Sequence, residues 1–471
     1  MTRFHDSLIL VAILLLATGL RLWGLNAPLW YDEIQTLDTH LRLDWSAFFA
    51  SYELNHHYFH NLAAKLSIGW FGETNWAIRL PAMVFGVGSI WMAWILAKDL
   101  TAKRFAHVTA LLLALSYHHI WFSQNARGYT ELAFWGLAGT ILFLRGLSKT
   151  NGSGLWLAYS FTLAATIFTH LTGAFLFAAH GLIWLGLIVT RRGTPIHLPL
   201  LSYLFGAILT LLVYLPLLPS LWETVTAVSA TSAVDVMAEY QNPLWSLLEG
   251  LRTGLGRDGW IMTAAGLGVL IFMLLGTAYS GWTFFLLFVA HIGLTLVALT
   301  VLGMRIWPRF FFTDIAFALI LIVPGVALVS DWLGRIMPKL LPPRRVWVLG
   351  VLAMAALSSA LAYRNYTAPK QNLEGAVAYV AEHRAEGEEV YAITYSADLF
   401  NRHFGTDWNR LTTPTDLWHA MKVQGSGLYV VTFPQRAFRL FPGLRNDRNF
   451  EVLERFPGTL GDGRILILRR R

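Results

Sequence analysis

The sequence predicts an α-helical polytopic membrane protein carrying a small C-terminal α/β domain outside the bilayer. Three observations lead there. Of 471 residues, 55% are hydrophobic and only 14% charged, against about 25% charged in an ordinary soluble domain. Apolar stretches long enough to cross the hydrocarbon core as helices, about twenty residues each, recur from Leu8 to Tyr363. After Tyr363 the composition turns charged and strand-like. A soluble enzyme of this size would keep a charged skin, so it is excluded. The 20 Trp suit rings lying at headgroup level. The absence of Cys excludes thiol catalysis, thiolate metal sites and disulfide scaffolding.

About eleven spans are expected. They are Leu8–Trp23, Ala77–Ala97, Phe105–Trp121, Thr130–Leu147, Gly154–Thr169 and Thr172–Thr190, then Leu198–Leu221, Gly259–Ser280, Trp282–Gly303, Phe310–Val329 and Val346–Tyr363. The Gly259–Ser280 and Trp282–Gly303 stretches also suit one re-entrant pair. The first stretch is a retained helix, because Arg21, Leu22 and Trp23 stand where a processing site would need small residues. With a cytoplasmic N-terminus, the inner loops carry Lys98, Lys103 and Arg104, then Arg145 and Lys149, Arg191 and Arg192, and Arg335, Lys339, Arg344 and Arg345. This positive-inside pattern absorbs most of the net charge of +8 without any nucleic-acid partner. An odd number of spans then puts the C-terminus outside the inner membrane.

Two outer segments are longer than a connection needs. Residues 26–76 mix aromatics with Asp32, Glu33, Asp44, Glu53 and four histidines, His40, His56, His57 and His60. Loops of that length in compact bundles are functional or hold helices of their own, and Trp45–Tyr52 reads as a short interfacial helix. The second segment, Trp222–Asp258, is less patterned and suits a cover over a cavity. Residues 364–471 form the separate domain, with helices expected at Leu373–Glu386 and Thr415–Val423 and strands at Val390–Thr394, Leu428–Thr432 and Arg464–Leu468. It lacks a glycine-rich phosphate loop, so its expected role is support or acceptor positioning.

Candidate chemistry gathers at the outer face. Asp32 and Glu33 follow the first helix in Trp30-Tyr31-Asp32-Glu33, where a carboxylate can act as general base beside a lipid-accessible cleft or simply cap an interfacial helix. Glu53, Asn55, His56, His57 and His60 make a second cluster. On one continuous helix His56, His60 and Glu53 would share a face, so a divalent metal is geometrically allowed; polar interfacial residues without metal are the alternative. Arg79, Arg127, Arg305 and Arg309 stand at outer helix ends, where the positive-inside tendency does not place them. They either snorkel to headgroups or converge as a phosphate clamp. For Arg309 the clamp is the favoured reading, because the Pro308-Arg309 break fixes its side chain at the membrane boundary. Within the spans, His180 reads as structural, His170 stays open, and Asp314 is placed to pair with and orient a basic neighbour such as Arg309.

Taken in order, these residues resemble a known family. Arg21-Leu22-Trp23-Gly24-Leu25 with Trp30-Tyr31-Asp32-Glu33, Phe71-Gly72, Arg79-Leu80-Pro81, Phe85-Gly86, Ala126-Arg127-Gly128-Tyr129 and Pro308-Arg309 are similar to the GT-C glycosyltransferases of family 39. These include protein O-mannosyltransferases and aminoarabinose transferases. The resemblance implies a GT-C-like helical body and inverting transfer of a sugar from a polyprenyl-phosphate donor to an acceptor hydroxyl of a glycan, lipid or protein at the outer face. It further implies Asp32 as base, Glu33 as its neighbour in the cleft, and Arg309 on the lipid phosphate. Arg127, Arg305 and Arg79 would assist at the phosphate, and Glu53, Asn55, His56, Tyr129 and His170 would line the substrate cleft. No metal is required where cations suffice. Two positions depart from the family: Asn55-His56-His57-Tyr58 stands where many relatives carry His-Pro-Pro, and Phe310 stands where Tyr is frequent. A transporter or lipid-sugar flippase, and an oligosaccharide polymerase or ligase, are the alternative classes.

Overall fold

In the computed structural model, the described residues are 2–50, 52–53, 56–148, 152–230, 242, 259–336, 342–393, 396–423, 427–459 and 462–470. The helical body begins with α1 (Thr2–Leu22). The first loop then holds α2 (Tyr31–Thr36), α3 (Trp45–Phe48) and α4 (Tyr58–Phe71). The body continues through α5 (Asn75–Leu100), α6 (Lys103–Leu115), α7 (Tyr117–Ser123), α8 (Tyr129–Ser148), α9 (Ser153–Thr169), α10 (Gly173–Thr190), α11 (His197–Tyr214) and α12 (Leu218–Ala230). It closes with α13 (Gly259–Ser280), α14 (Trp282–Val301), α15 (Asp314–Ile336) and α16 (Pro343–Thr367). Every expected span falls on these helices, Phe105–Trp121 and Leu198–Leu221 each across two of them.

Among the described residues, 7 helices qualify as membrane spans by length and apolarity, or 8 if a bent pair is one span. This is fewer than the count from apolar stretches, for local reasons. The expected span Phe105–Trp121 is broken into α6 and α7, bent by 61°, where the Ser116 hydroxyl accepts the His119 N–H and starts a new helix. Helix α9 and the apolar part of α13 are short, and α8 carries Glu131 and Arg145, which dilute its apolar run. Helices α13 and α14 are separate, turned apart at Gly281 with φ +80°. Packing between spans relies on small residues. A Cβ on Gly276 would strike the Leu321 carbonyl and one on Gly325 the Phe272 carbonyl, so α13 and α15 touch backbone to backbone.

The C-terminal domain is a five-stranded sheet of order β2-β1-β3-β5-β4: β1 (Glu389–Ile393), β2 (Asn409–Leu411), β3 (Gly427–Thr432), β4 (Phe450–Phe456) and β5 (Ile465–Arg470). Strand β1 pairs in parallel with β2 and β3, while β5 runs antiparallel to β3 and β4. Its helices are α17 (Leu373–His383), α18 (Ser396–Phe404), α19 (Pro414–Val423), α20 (Pro434–Leu440) and α21 (Gly443–Asn446). Strand alternation builds two apolar faces. Tyr391, Tyr429, Val431 and Leu468 pack under α19 and α20. Ala392, Leu428, Val430 and Ile467 pack with α17 and continue without a break into Ile34, Leu37, Ala64, Ile78 and Ala126 of the helical body. The domain is therefore joined to the first loop through one shared core, directly over the candidate residues.

The expected Leu373–Glu386 helix ends at His383, and Thr394 of the expected first strand lies outside the described residues. Of the interfacial helix expected at Trp45–Tyr52, one turn is present. Asn55 and most of Trp222–Asp258 lie outside the described residues.

Candidate functional site

The site grows from the end of α1. The chain turns at Gly24 (φ +85°), a conformation costly for any residue with a Cβ. It then runs to Trp30, whose extended backbone starts α2. Asp32 and Glu33 occupy the first turn of that helix, and successive helical residues point about 100° apart. The two adjacent carboxylates therefore face different surroundings.

Glu33 points inward and is fully buried. Arg79 grips it with two hydrogen bonds, Nε to Oε1 at 2.7 Å and Nη2 to Oε2 at 2.6 Å. The Ala126 N–H donates to Oε1 at 2.8 Å, the Trp30 N–H to Oε2 at 3.3 Å, and Lys370 Nζ lies 3.6 Å from Oε1. Burial alone would raise this carboxyl, but the Arg79 and Lys370 charges and the Arg79 and Ala126 hydrogen bonds outweigh it and hold the pKa at about 2. Burial likewise draws the Lys370 ammonium down to about 7 against the pull of Glu33. The remaining Arg79 donors bind the carbonyls of Leu25, Ala27 and Pro28. Arg79 thus offers no donor to a phosphate and Glu33 no oxygen to a substrate, against the expectation for both; together they tie α5 to the first loop.

Asp32 lies outside that cluster and is partly exposed. Its Oδ2 lies 3.6 Å from Arg309 Nη1, with side-chain exposures of 18% and 27%. Arg309 stands in a 3-10 turn, Pro308–Phe311, that Pro308 begins. Its guanidinium lies 4.6 Å from the Trp307 ring and 5.9 Å from the Tyr129 ring. His170 joins this wall, 6.0 Å from Tyr129, 5.3 Å from Phe310 and 4.8 Å from His57 between ring centres. Arg127 is buried, with Nη1 3.5 Å from the Thr36 hydroxyl of α2. Burial, then the Arg127 charge, lowers His40 to about 4, and burial with His40 and Arg127 takes His56 to about 2. These rings are neutral at neutral pH. Arg305 is partly buried beside Arg436 of α20, and the Arg436 guanidinium lies 5.7 Å from the Trp307 ring that Arg309 also contacts.

The His56, His60 and Glu53 set that helical spacing allowed does not assemble, which leaves these residues in the other reading, polar groups at the interface. Helix α4 begins only at Tyr58, so His56 precedes it and shares no helical face with His60. His60 Nδ1 pairs with buried Glu131 at 2.7 Å. His56 Nδ1 accepts from Asn61 at 3.1 Å and its ring stacks on Tyr58. Glu53 is half-exposed, 3.7 Å from His40 Nε2. Among the described residues no group of three or more His, Asp or Glu is placed to hold a metal ion. Asp314 pairs with His291 of α14 at 2.9 Å and not with Arg309, because it starts α15 facing the bundle interior. His180 bonds the hydroxyls of Thr140 and Tyr159, the structural role expected of it.

Sequence reasoning missed Lys370, Trp307 and the particular residues of the C-terminal domain that reach the site, though it gave that domain a supporting role. The Gln371 amide oxygen accepts the Tyr31 N–H at 3.4 Å, and Phe433, with a left-handed φ of 52°, meets the Tyr31 ring edge-on at 5.4 Å. A strained non-glycine residue beside a cleft is a structural signal with no counterpart in the local sequence.

Residues 55–222 match the family model of dolichyl-phosphate-mannose-protein mannosyltransferases. The apo structure of ArnT from Cupriavidus metallidurans superposes with a TM-score of 0.55 at 14% identity, covering 99% of this chain and 98% of that one. The same protein bound to undecaprenyl phosphate gives 0.51 at 15% identity, over 98% and 97%. An Archaeoglobus fulgidus oligosaccharyltransferase tethered to an acceptor peptide gives 0.53 at 14% identity, over 91% of this chain and 69% of that one. No curated protein sequence matches the chain. The chain is an integral membrane protein with the GT-C glycosyltransferase fold, similar over residues 55–222 to the dolichyl-phosphate-mannose-protein mannosyltransferase family and carrying a C-terminal sheet domain.

Proposed function

We propose that the chain transfers a sugar from a polyprenyl-phosphate-linked donor to an acceptor hydroxyl, with inversion at the anomeric carbon, at the outer face of the membrane. The observation that carries this reading is the half-open Asp32 and Arg309 pair, 3.6 Å apart, at the junction of the first loop and the helical body. A carboxylate there can take the proton of the attacking hydroxyl. A guanidinium beside it can stabilise the charge that grows on the departing lipid phosphate. In-line displacement by the hydroxyl, with phosphate leaving from the opposite side, gives inversion in one step.

The other residues fall into supporting places. Arg127 adds positive charge behind the cleft, and Arg305 stands at its rim as a second phosphate contact. Tyr129 and His170 form the wall along the donor head, with His56 buried behind it. Glu33, Arg79 and Lys370 hold α2 so that Asp32 points into the cleft. A polyprenyl-phosphate sugar is the donor partner and a hydroxyl-bearing glycan, lipid or protein the acceptor. The similarity to a structure holding undecaprenyl phosphate supports the donor class. The basic residues Lys98, Lys103, Arg145, Arg191 and Arg192 at one end of the spans support an inside N-terminus and an outside C-terminal domain.

The test is transfer from a panel of polyprenyl-phosphate sugars by the wild type and Asp32→Asn in the same detergent or proteoliposomes. Turnover by the wild type and its loss in Asp32→Asn is expected. Equal turnover in the two removes Asp32 from the base role, and flipping of the lipid without transfer favours the flippase class.

A further inference from the structure

A path of side-chain contacts leads from Asp32 into the C-terminal domain and back. Asp32 Oδ2 lies 3.6 Å from Arg309 Nη1, and the Arg309 guanidinium lies 4.6 Å from the Trp307 ring. The Arg436 guanidinium of α20 lies 5.7 Å from that same ring and 5.1 Å from the Phe433 ring. Phe433 in turn meets the ring of Tyr31, the residue before Asp32, edge-on at 5.4 Å. Three segments far apart in sequence are thus joined by a side-chain contact at each step. Both guanidinium groups at Trp307 lie within about 6 Å of its ring, the range of cation–π attraction.

Among the described residues, little else orients Arg309. Its Nε is buried without a hydrogen-bond partner, and its ion pair with Asp32 is longer than a hydrogen bond. Arg79, by contrast, is fixed by hydrogen bonds to Glu33 and to the carbonyls of Leu25, Ala27 and Pro28. A guanidinium so loosely bonded takes its orientation from the surface it lies on. For Arg309 that surface is Trp307, with Tyr129 farther off at 5.9 Å. Trp307 is itself partly exposed, so its ring keeps one place only where neighbours hold it. Arg436 is such a neighbour, and it is anchored: Asp462 accepts the N–H groups of Gln435 at 3.0 Å and Arg436 at 3.3 Å, which pins the first turn of α20. Phe433, just before that turn, takes a left-handed φ of 52°, costly for a residue with a Cβ. In that conformation its ring touches both Tyr31 and Arg436.

We infer that Arg436 is a positioning residue for the transfer reaction: it holds the Trp307 ring in the place where that ring orients Arg309 toward the donor phosphate. The consequence for the phosphate rests on the transferase reading above; the path of contacts does not. The C-terminal domain thereby takes part in donor binding without touching the donor. Arg436 has a counter-charge in Asp462 and a like charge beside it in Arg305, so its effect runs through the ring and not through free positive charge.

The experiment is a double-mutant cycle on undecaprenyl phosphate binding, read by calorimetric titration of the full-length protein in neutral detergent, together with hydrogen exchange of residues 305–312. Arg436→Met should weaken binding about three- to tenfold, the worth of one lost cation–π contact. Arg436→Lys keeps a cation but loses the planar fork, and should fall between Arg436→Met and the wild type. In an Arg309→Ala background Arg436→Met should cost nothing further, because residues that act through one another are not additive. Exchange at residues 305–312 should rise in Arg436→Met while the melting midpoint stays with the wild type; should that variant melt lower, the cycle is run with Arg436→Lys. Arg402→Ala, an exposed arginine elsewhere in the domain, should match the wild type in both readouts. An equal loss from Arg436→Met with and without Arg309 means direct action on the ligand or on overall charge, and overturns the inference. So does unchanged exchange at residues 305–312, or Arg436→Lys binding as weakly as Arg436→Met. Wild-type protein that binds no undecaprenyl phosphate counts against the transferase reading, and the exchange result then decides the inference alone.

Discussion

The floor and the mouth of the cleft hold similar charges in opposite conditions. On the floor, Glu33 and Arg79 are buried and satisfy one another at 2.6 and 2.7 Å, with Lys370 partly buried beside them. At the mouth, Asp32 and Arg309 sit half-open at 3.6 Å, and Arg305 stands near Arg436, a like charge. A closed, fully bonded charge cluster serves the fold, because any ligand would have to break it. A loosely paired one with cations in excess can exchange its partner for a substrate. Adjacent residues, Asp32 and Glu33, thus belong to different functional layers.

The largest effect that can break this comparison is on the floor. Arg79→Ala leaves Glu33 buried without its partner and should cost about 3–5 kcal/mol of stability, read as a lowered melting midpoint in detergent. A wild-type midpoint in that variant would mean the floor is not a stabilising element. At the mouth, Arg309→Ala should leave the midpoint in place and reduce transfer by about 10²–10³-fold, the range for losing one group that stabilises transition-state charge. A large melting shift with full activity would reverse the two layers.

Acid sharpens the same contrast. The Glu33 carboxyl is depressed from 4.5 to about 2, so its contribution is complete above pH 4.5 and is lost as pH falls through about 2. It amounts to about 3 kcal/mol. The stability gap between the wild type and Glu33→Gln should therefore shrink between pH 5 and pH 2, and a gap independent of pH would contradict the ionised pair. The smallest effect is on topology. The chain has no cysteine, so Arg402→Cys introduces a single thiol, which a membrane-impermeant maleimide should label from the outside with little change in activity. Labelling only after permeabilisation would invert the orientation.

The helical body was legible because apolar length is a property of each segment alone, and Leu8–Trp23 through Val346–Tyr363 all fall on helices. The break at Ser116 was not, since the residues on both sides remain apolar and only a capping hydroxyl marks it. In the C-terminal domain the buried strands β1, β3 and β5 were legible as runs of β-formers. The exposed β4 and three-residue β2 were not, because half-solvated or short strands carry little pattern. In the site, Asp32, Arg309, Tyr129 and His170 were named from sequence and follow one another in a chain of contacts. Glu33 and Arg79 were named for the cleft, yet lie beneath it, because spacing does not tell which of two neighbouring carboxylates a helix turns inward. The metal grouping failed for a related reason: helical spacing of His56 and His60 has meaning only if both lie on the helix. Lys370 and Arg436 reach the site from residues hundreds of positions away from Asp32, a tertiary contact no local pattern records.

The central claim, that chemistry and support are divided between two adjacent carboxylates, is tested most directly by melting and turnover of Asp32→Asn and Glu33→Gln measured side by side. Asp32→Asn should melt with the wild type and lose about 10²–10⁴-fold in transfer, while Glu33→Gln should melt lower by an amount consistent with a broken buried pair. Wild-type turnover in Asp32→Asn, or unchanged melting with abolished turnover in Glu33→Gln, would contradict it.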